Sequence, residues 1–244
     1  MLDLIAMWKS PKMIALMLLT ALLYPASLYP LQGFTFFRGY ADFGRMGVGI
    51  PVAFSFLFGP AAAWGAAFGN LLRDIVEFHL DAASFFGFFG NLLLGYVPYK
   101  LWKAITAEKP DMRSIKRFAV FVGVAVSACI ICGLIIGWGL YWLGFTPFMP
   151  TAAIIAVTNM LWAIVIGGVI LALSYNYVSK RKLLYTDILN IQQTKPAWSL
   201  SRTLAIIIFA VATVACFAVG FNASPFVLLP FVALAVIAIG LALR

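Results

Sequence analysis

Polar side chains that could bind a ligand are concentrated in a short stretch of an otherwise apolar chain. Asn70, Arg73, Asp74 and Glu77 follow one another at intervals of three and four residues. On a helix this spacing places the four side chains in one stripe. The stripe predicts one of two things: the wall of a binding pocket that opens outward, or an ion pair that locks the end of the helix.

Other candidates lie on the same side of the predicted bundle. Asn91 and Asn159 stand inside apolar runs, where a buried amide needs a partner from the protein or from a ligand. Aromatic residues crowd the side that carries the few charges, which is typical of a site for a flat, partly apolar ligand. The predicted ligand-binding residues are Arg38, Asp42, Arg45, Asn70, Arg73, Asp74, Glu77, Asn91, Trp138, Trp142 and Asn159.

Catalytic and metal chemistry find little support in the sequence. The single histidine, His79, excludes a two-histidine metal site, and no phosphate-binding GxxxxGK[ST] loop or nucleophile elbow is present. Cys129 and Cys132 have CxxC spacing but lie in an apolar run, which favours a packing role. We therefore predict no catalytic residue, no metal and no cofactor. An intramembrane enzyme using Asp74, Glu77 and His79 is the weakest alternative.

Composition identifies the elements that must position these residues. The chain has 244 residues, of which 64% are hydrophobic and 10% charged, with a mean hydropathy of +1.03. A soluble domain of this size could not bury so much apolar surface. We therefore predict an all-α multi-pass protein of the cell membrane. The net charge of +9 lies in short connections between apolar runs, which argues against a nucleic-acid partner.

Charge distribution predicts how the helices cross the bilayer. If all apolar runs span, only Arg38, Arg45 and Arg73 of the 17 basic residues lie outside, so both termini are expected in the cytoplasm. The short second run could instead be re-entrant, but most basic groups would then move outside. The eight predicted helices are 12–31, 46–58, 60–78, 83–102, 118–143, 150–178, 203–220 and 226–243.

The connections predict how the chain is divided. A six-helix core over 1–180 is followed by a cytoplasmic linker over 181–202 and a transmembrane hairpin over 203–244. Small residues recur at four-residue spacing on three core helices, which predicts close helix packing. These sets are Ala61, Gly65 and Gly69; Gly87, Asn91 and Gly95; and Cys129, Gly133 and Gly137.

Residues 44–102 carry motifs of a known family. They include Leu57-Phe-Gly-Pro60, Gly65-Ala-Ala-Phe-Gly-Asn-Leu-Leu-Arg-Asp74 and Phe88-Phe-Gly-Asn-Leu-Leu-Leu-Gly-Tyr-Val-Pro-Tyr-Lys-Leu-Trp102. This region resembles the S component, the substrate-binding membrane subunit, of energy-coupling factor (ECF) vitamin transporters. The general layout over 12–178 is similar as well.

The resemblance implies a function and partners. It implies high-affinity binding of a vitamin, a vitamin precursor or a related heterocycle from outside the cell. It also implies a transmembrane coupling subunit and two ATPase subunits that energise uptake. The C-terminal hairpin is extra to the family's six helices, and it could add to the docking face or occupy it. The alternative function is a membrane sensor or interaction module with an outward-facing pocket.

Overall fold

The computed structural model describes residues 2–29, 35–36, 41–42, 45–191 and 200–243. Within these ranges the regular secondary structure is helical apart from a small antiparallel pair, β1 (Thr35–Phe36) and β2 (Ala41–Asp42). The helices are α1 (Leu2–Ala6), α2 (Pro11–Ala26), α3 (Gly49–Phe58), α4 (Pro60–Val76), α5 (Ala82–Ile105), α6 (Ile115–Trp142), α7 (Phe148–Trp162), α8 (Gly168–Lys180), α9 (Tyr185–Ile188), α10 (Leu200–Val219) and α11 (Pro225–Ala242). The predicted all-α architecture is confirmed.

Several helices can cross a membrane by length and composition. Within the described ranges, α6, the continuous stretch Phe148–Ile188, α10 and α11 are each long and apolar enough. A fifth span results if α1 and α2 are counted together, although they are bent by 105°. The prediction of a multi-pass membrane protein is therefore confirmed. The count of eight spans and the cytoplasmic termini stay predictions.

The small-residue stripes lie where helices approach most closely. A Cβ on Gly95 would lie 2.7 Å from the Cα of Ala63 in α4, and one on Gly137 would lie 2.8 Å from the Cα of Ala152 in α7. Neither backbone could accommodate a side chain without shifting. The close packing expected from the sequence is therefore present, and it holds α4, α5, α6 and α7 in fixed positions.

Helix α5 contains Pro98, which cannot donate a backbone hydrogen bond, and a side chain of a neighbouring helix contacts the backbone there. Ser55 Oγ, on α3, donates to the carbonyl oxygen of Gly95 and accepts from the amide of Tyr99 at 3.1 Å. The hydroxyl thus bridges a backbone carbonyl and a backbone amide of α5, four residues apart, next to the proline. This bond anchors the short α3 in the bundle, and α3 begins directly after the turn that carries Arg45.

The C-terminal hairpin, α10–α11, packs against α6 and α7. Trp138 Nε1 donates to the carbonyl of Pro225 at 2.9 Å, and Tyr141 Oη donates to that of Ala223 at 3.0 Å. The Phe148 ring stacks on Phe217 of α10. On α2, Leu22 remains exposed. The hairpin therefore covers a different side of the bundle from the free flank of α2.

Candidate ligand-binding site

A chain of hydrogen bonds links α2, α5 and α4 inside the bundle. Tyr24 Oη donates to Asn91 Oδ1 at 2.9 Å, and Asn91 Nδ2 donates to Asn70 Oδ1 at 3.0 Å. Asn70 Nδ2 then donates to a carboxylate oxygen of Asp74 at 3.3 Å. Because the carboxylate can only accept and an amide NH2 group can only donate, the chain sets the orientation of both amides. We call these four residues the amide chain.

Glycine at position 87 makes the amide chain possible. The carbonyl of Gly87 accepts a second hydrogen bond from Asn91 Nδ2 at 2.8 Å. A Cβ at this position would lie 2.6 Å from Asn70 Nδ2. Any side chain here would push the amide of Asn70 away from Asn91, so α5 must carry glycine for the two helices to share this network.

Two buried polar atoms, one before α3 and one on α7, lack a hydrogen-bond partner among the described residues. They are Nε of Arg45, a donor, and Oδ1 of Asn159, an acceptor. Asn159 Nδ2 contacts Cys132 Sγ at 3.7 Å. Arg45 also interacts electrostatically with Cys132. Asn159 is therefore in direct contact with this thiol on α6, and the charge of Arg45 acts on the same thiol.

Arg45 is positioned by the segment that enters α3. It immediately precedes the turn Met46–Val48, and both this turn and β2 lie against α7, which carries Asn159. The positive charge also acts on Tyr24 and Asp74 of the amide chain. Buried polar groups normally have partners, because leaving one unpaired costs about 1–3 kcal/mol. The unpaired atoms therefore mark a place that a polar ligand can fill.

The charged end of α4 forms the ion pair that the sequence allowed for. Arg73 Nε lies 2.8 Å from Glu77 Oε1, and both side chains are largely buried. Asp74 turns instead toward the amide chain. His79 follows the helix and is exposed. Arg73 and Glu77 thus form an ion pair at the end of α4, which we call the rim ion pair, whereas Asn70 and Asp74 belong to the amide chain. A ligand-binding role for Arg73 and Glu77 stays a prediction.

Four predicted residues are not shown to join this network. Arg38 lies outside the described residues, and for Asp42 only the backbone, paired with Thr35, is described. Trp138 uses its indole N–H to bind the hairpin. Trp142 packs against Trp138 and Phe226. Both tryptophans thus face the hairpin, and their contribution to a ligand site remains untested.

Sequence reasoning did not single out Tyr24, Gly87 or Cys132 as functional groups. Tyr24 is fully buried, although tyrosines in such helices usually lie at the membrane interface. Cys132 is also buried, as expected of a packing residue, but it contacts Asn159. A signal was available for Gly87, since it stands one turn before Asn91 in a stripe of small residues.

The donor set favours an organic ligand over a metal ion. In the parts of the chain that the structure describes, no three His, Cys, Asp or Glu side chains come together as metal ligands would. The site offers an unpaired guanidinium donor, an unpaired amide acceptor and an oriented row of amides. Such groups recognise a molecule that both donates and accepts hydrogen bonds.

A membrane-embedded helical bundle with a desolvated polar site of this kind has the architecture of a substrate-binding transport protein. A family model described as QueT transporter matches residues 14–176. The chain belongs to the QueT transporter family, whose members are S components of ECF-type transporters, so the resemblance seen in the sequence is confirmed. It is a transport protein of the cell membrane and not an enzyme. Neither a search of curated proteins nor one of solved structures returned a significant match.

Proposed function

We propose that this S component captures a queuosine precursor, a 7-deazaguanine base, from outside the cell. The family's link to queuosine precursor transport supports this choice of ligand. The observation that carries it is the pair of buried, unpaired atoms, Arg45 Nε and Asn159 Oδ1. A deazaguanine presents a carbonyl oxygen that can accept from the guanidinium, and N–H groups that can donate to the amide oxygen.

The surroundings of these two atoms suit a flat ring. Asn91 and Asn70 are already oriented by the amide chain, so binding would cost little side-chain ordering. Phe86 packs edge-on against Trp138 beside Gly139, which supplies apolar surface on the same half of the bundle. In this proposal the ring lies between α6, α7 and the segment at Arg45, and Trp138 and Trp142 support the bundle through the hairpin.

In this proposal the pocket opens on the outer side of the membrane. With eight spans and both termini in the cytoplasm, Arg45 and the end of α4 face outward, as an uptake receptor requires. Single cysteines at Lys109 and at Ala223 test this arrangement with an impermeant thiol reagent on intact cells. We expect Ala223→Cys to react and Lys109→Cys to be protected, and the reverse pattern would overturn the topology.

Energy for uptake would come from other subunits. The sequence contains no phosphate-binding loop of its own, so we propose a transmembrane coupling subunit and two ATPases as partners. The packing of the hairpin on α6 and α7, away from the free flank of α2, supports a docking face that the hairpin does not cover. Deleting residues 196–244 should then leave capture of a coupling subunit intact. Loss of capture would make the hairpin part of that face, whereas increased capture would show that the hairpin obstructs docking.

Binding of a defined base tests the ligand assignment directly. We expect detergent-purified protein to bind 7-aminomethyl-7-deazaguanine in titration calorimetry, and to bind guanine or riboflavin much more weakly. Asn159→Leu should weaken binding by about 1–3 kcal/mol, or roughly 5- to 150-fold, because a desolvated hydrogen bond is lost. Asn222→Leu is the matched control, since Asn222 is exposed at the turn of the hairpin.

Each outcome has a distinct meaning. Equal affinity in wild type and both variants would remove Asn159 from the site. No binding of any deazaguanine by the folded wild type would overturn the ligand assignment while leaving family membership intact. Failure of the folded protein to capture a coupling subunit, with or without the hairpin, would favour the sensor over the transporter.

A further inference from the structure

The first eight described residues form a short arm that crosses the flank of the bundle. Helix α1 continues as the single turn Met7–Lys9, and this arm is bent by 105° from α2. Ser10 marks the bend, where its Oγ accepts from the amide of Met13 at 3.4 Å and Pro11 begins α2. A helix at such an angle to a spanning helix lies near the plane of the membrane.

One face of the arm is fixed to the bundle by specific contacts. Trp64 Nε1, on α4, donates to the carbonyl of Leu4 at 3.0 Å. The Asp3 carboxylate accepts from Tyr99 Oη at 2.8 Å and pairs with Lys100 Nζ at 2.9 Å, both on α5. Trp64 lies one turn into α4, and Lys100 lies about one turn before the end of α5. The arm is therefore held beside the bundle at the level of the first turns of α4 and the last turns of α5.

The other face of the arm is apolar and uncovered. Leu2 and Ile5 are 85% and 66% exposed, and Trp8, whose ring also packs edge-on against Trp64 and Phe68 of α4, is still 41% exposed. Leaving a leucine or isoleucine side chain in water instead of an apolar phase is unfavourable. Two exposed lysines, Lys9 and Lys12, follow this face directly. The face thus combines apolar residues, an indole and positive charge.

We propose that residues 2–9 are an interfacial anchor that binds an anionic lipid leaflet. Leu2 and Ile5 enter the boundary between headgroups and acyl chains, and Trp8 lies at headgroup level. Lys9 and Lys12 contact lipid phosphates, for which their charge is complementary. The bonds to Trp64, Tyr99 and Lys100 make this a rigid attachment, so the lipid contact fixes the orientation of α4 and α5 in the membrane.

Spin labels measure where this face lies. Ile5→Cys is labelled with a nitroxide in purified full-length protein and reconstituted alone in vesicles of phosphatidylcholine with phosphatidylglycerol. Leu22→Cys, on the exposed flank of α2, is the lipid-facing control, and Lys109→Cys, in the exposed loop after α5, is the aqueous control. The native cysteines are buried, and labelling of the unmodified protein measures their background.

The anchor predicts specific collision rates. At Ile5 we expect the ratio of oxygen to water-soluble nickel collisions to be several-fold higher than at Lys109 and close to that at Leu22. Nickel access equal to that at Lys109 would overturn the proposal. Suppression of both reagents would also overturn it, because a second copy of the chain would then cover the face.

Charge reversal tests the headgroup contact separately. The double variant Lys9→Glu and Lys12→Glu should increase nickel access at the Ile5 label in vesicles that contain phosphatidylglycerol, and should change it much less in phosphatidylcholine alone. An equal change in both membranes, or no change, would overturn the contact with anionic lipid. Neither measurement involves the bound base, so the outcome is independent of the proposed function.

Discussion

Two polar regions of the molecule differ in whether their groups are satisfied. In the connection between α5 and α6, Arg117 contacts Glu108 at 2.7 Å and Asp111 at 2.7 Å, and Lys116 contacts Glu108 at 2.9 Å. We call these four residues the loop cluster. In the candidate site, by contrast, Arg45 Nε and Asn159 Oδ1 are buried without a partner among the described residues.

The comparison shows that charge density alone does not identify a binding site. The loop cluster is the more highly charged region, yet its positive and negative side chains pair with one another. These pairs indicate a structural role. The candidate site has fewer charges but carries the cost of unpaired buried atoms. A folded protein tolerates such a cost where a ligand can relieve it.

Replacing Arg45 should produce the largest effect, a loss of ligand affinity. Arg45→Met keeps the length and apolar stem of the side chain but removes the donors. Hydrogen bonds to charged groups contribute about 1.5–3 kcal/mol, so affinity for 7-aminomethyl-7-deazaguanine should fall roughly 10- to 150-fold. The unfolding temperature without ligand should change little, because the buried Nε has no hydrogen-bond partner to lose.

Arg117→Met in the loop cluster is the matched control. It removes the same group from a region where every charge is paired, so it should lower stability at neutral pH and leave affinity unchanged. If Arg117→Met weakened binding as much as Arg45→Met, the distinction between the two regions would fail.

The amide chain is satisfied, so damage to it should first lower stability. Tyr24→Phe leaves Asn91 Oδ1 buried without its donor, at a cost of about 1–3 kcal/mol in the free energy of unfolding. Tyr29→Phe is the control, because Tyr29 is exposed. Denaturant unfolding followed by tryptophan fluorescence measures both. Equal stabilities would show that the tyrosine hydroxyl does not support the amides.

The rim ion pair lies between these two cases. If Arg73 acts only within the protein, then Arg73→Ala and Glu77→Gln should each lower stability, because each leaves a largely buried charge without this partner, and both should leave affinity unaltered. If Arg73 also contacts the ligand, Arg73→Ala alone should weaken binding about fivefold. Calorimetry on the two variants separates the alternatives, and we expect the weaker binding.

How much of the site the sequence predicts depends on whether a residue type is unusual in its helix. Asn91 and Asn159 were identified because amides in apolar helices are costly, and they are 1% and 2% exposed. Tyr24 is an ordinary residue for a membrane helix, and its bond joins positions 67 apart in the chain. No local pattern encodes such a pairing, because the packing of α2 against α4 and α5 creates it.

The fold shows the same division. Helix positions follow from the apolar runs, and the division into six plus two helices stays a prediction. The arm formed by α1 is shorter than a membrane span, so hydropathy does not reveal it. Trp138 and Trp142 were predicted from their place on the outer side. Which way they face depends on where the hairpin packs, and that contact joins Trp138 to a residue 87 positions further on.

The smallest expected effect is the pH dependence of the loop cluster. Hydrogen bonds from Arg117 and Lys116 lower the pKa of Glu108 below its ordinary 4.5. Desolvation raises the pKa of Asp111, but hydrogen bonds from Arg117 and from the Arg113 amide outweigh it, so the net value lies below 3.8. Both groups therefore stabilise the fold fully above their unfolded pKa values, and this stabilisation disappears as the pH falls through the lower folded values.

Acid titration of stability measures this contribution. Between about pH 6 and about pH 3, wild type should lose more unfolding temperature than Arg117→Met, in which both carboxyl groups lack their main partner and titrate closer to their ordinary values. The difference should be small, because Glu108 is solvated and salt screens its ion pairs. Added salt at neutral pH should therefore reduce the difference in unfolding temperature between wild type and Arg117→Met. Parallel acid profiles for wild type and variant would show that the loop cluster adds nothing to stability, and the contrast between the two regions would then rest on the ligand site alone.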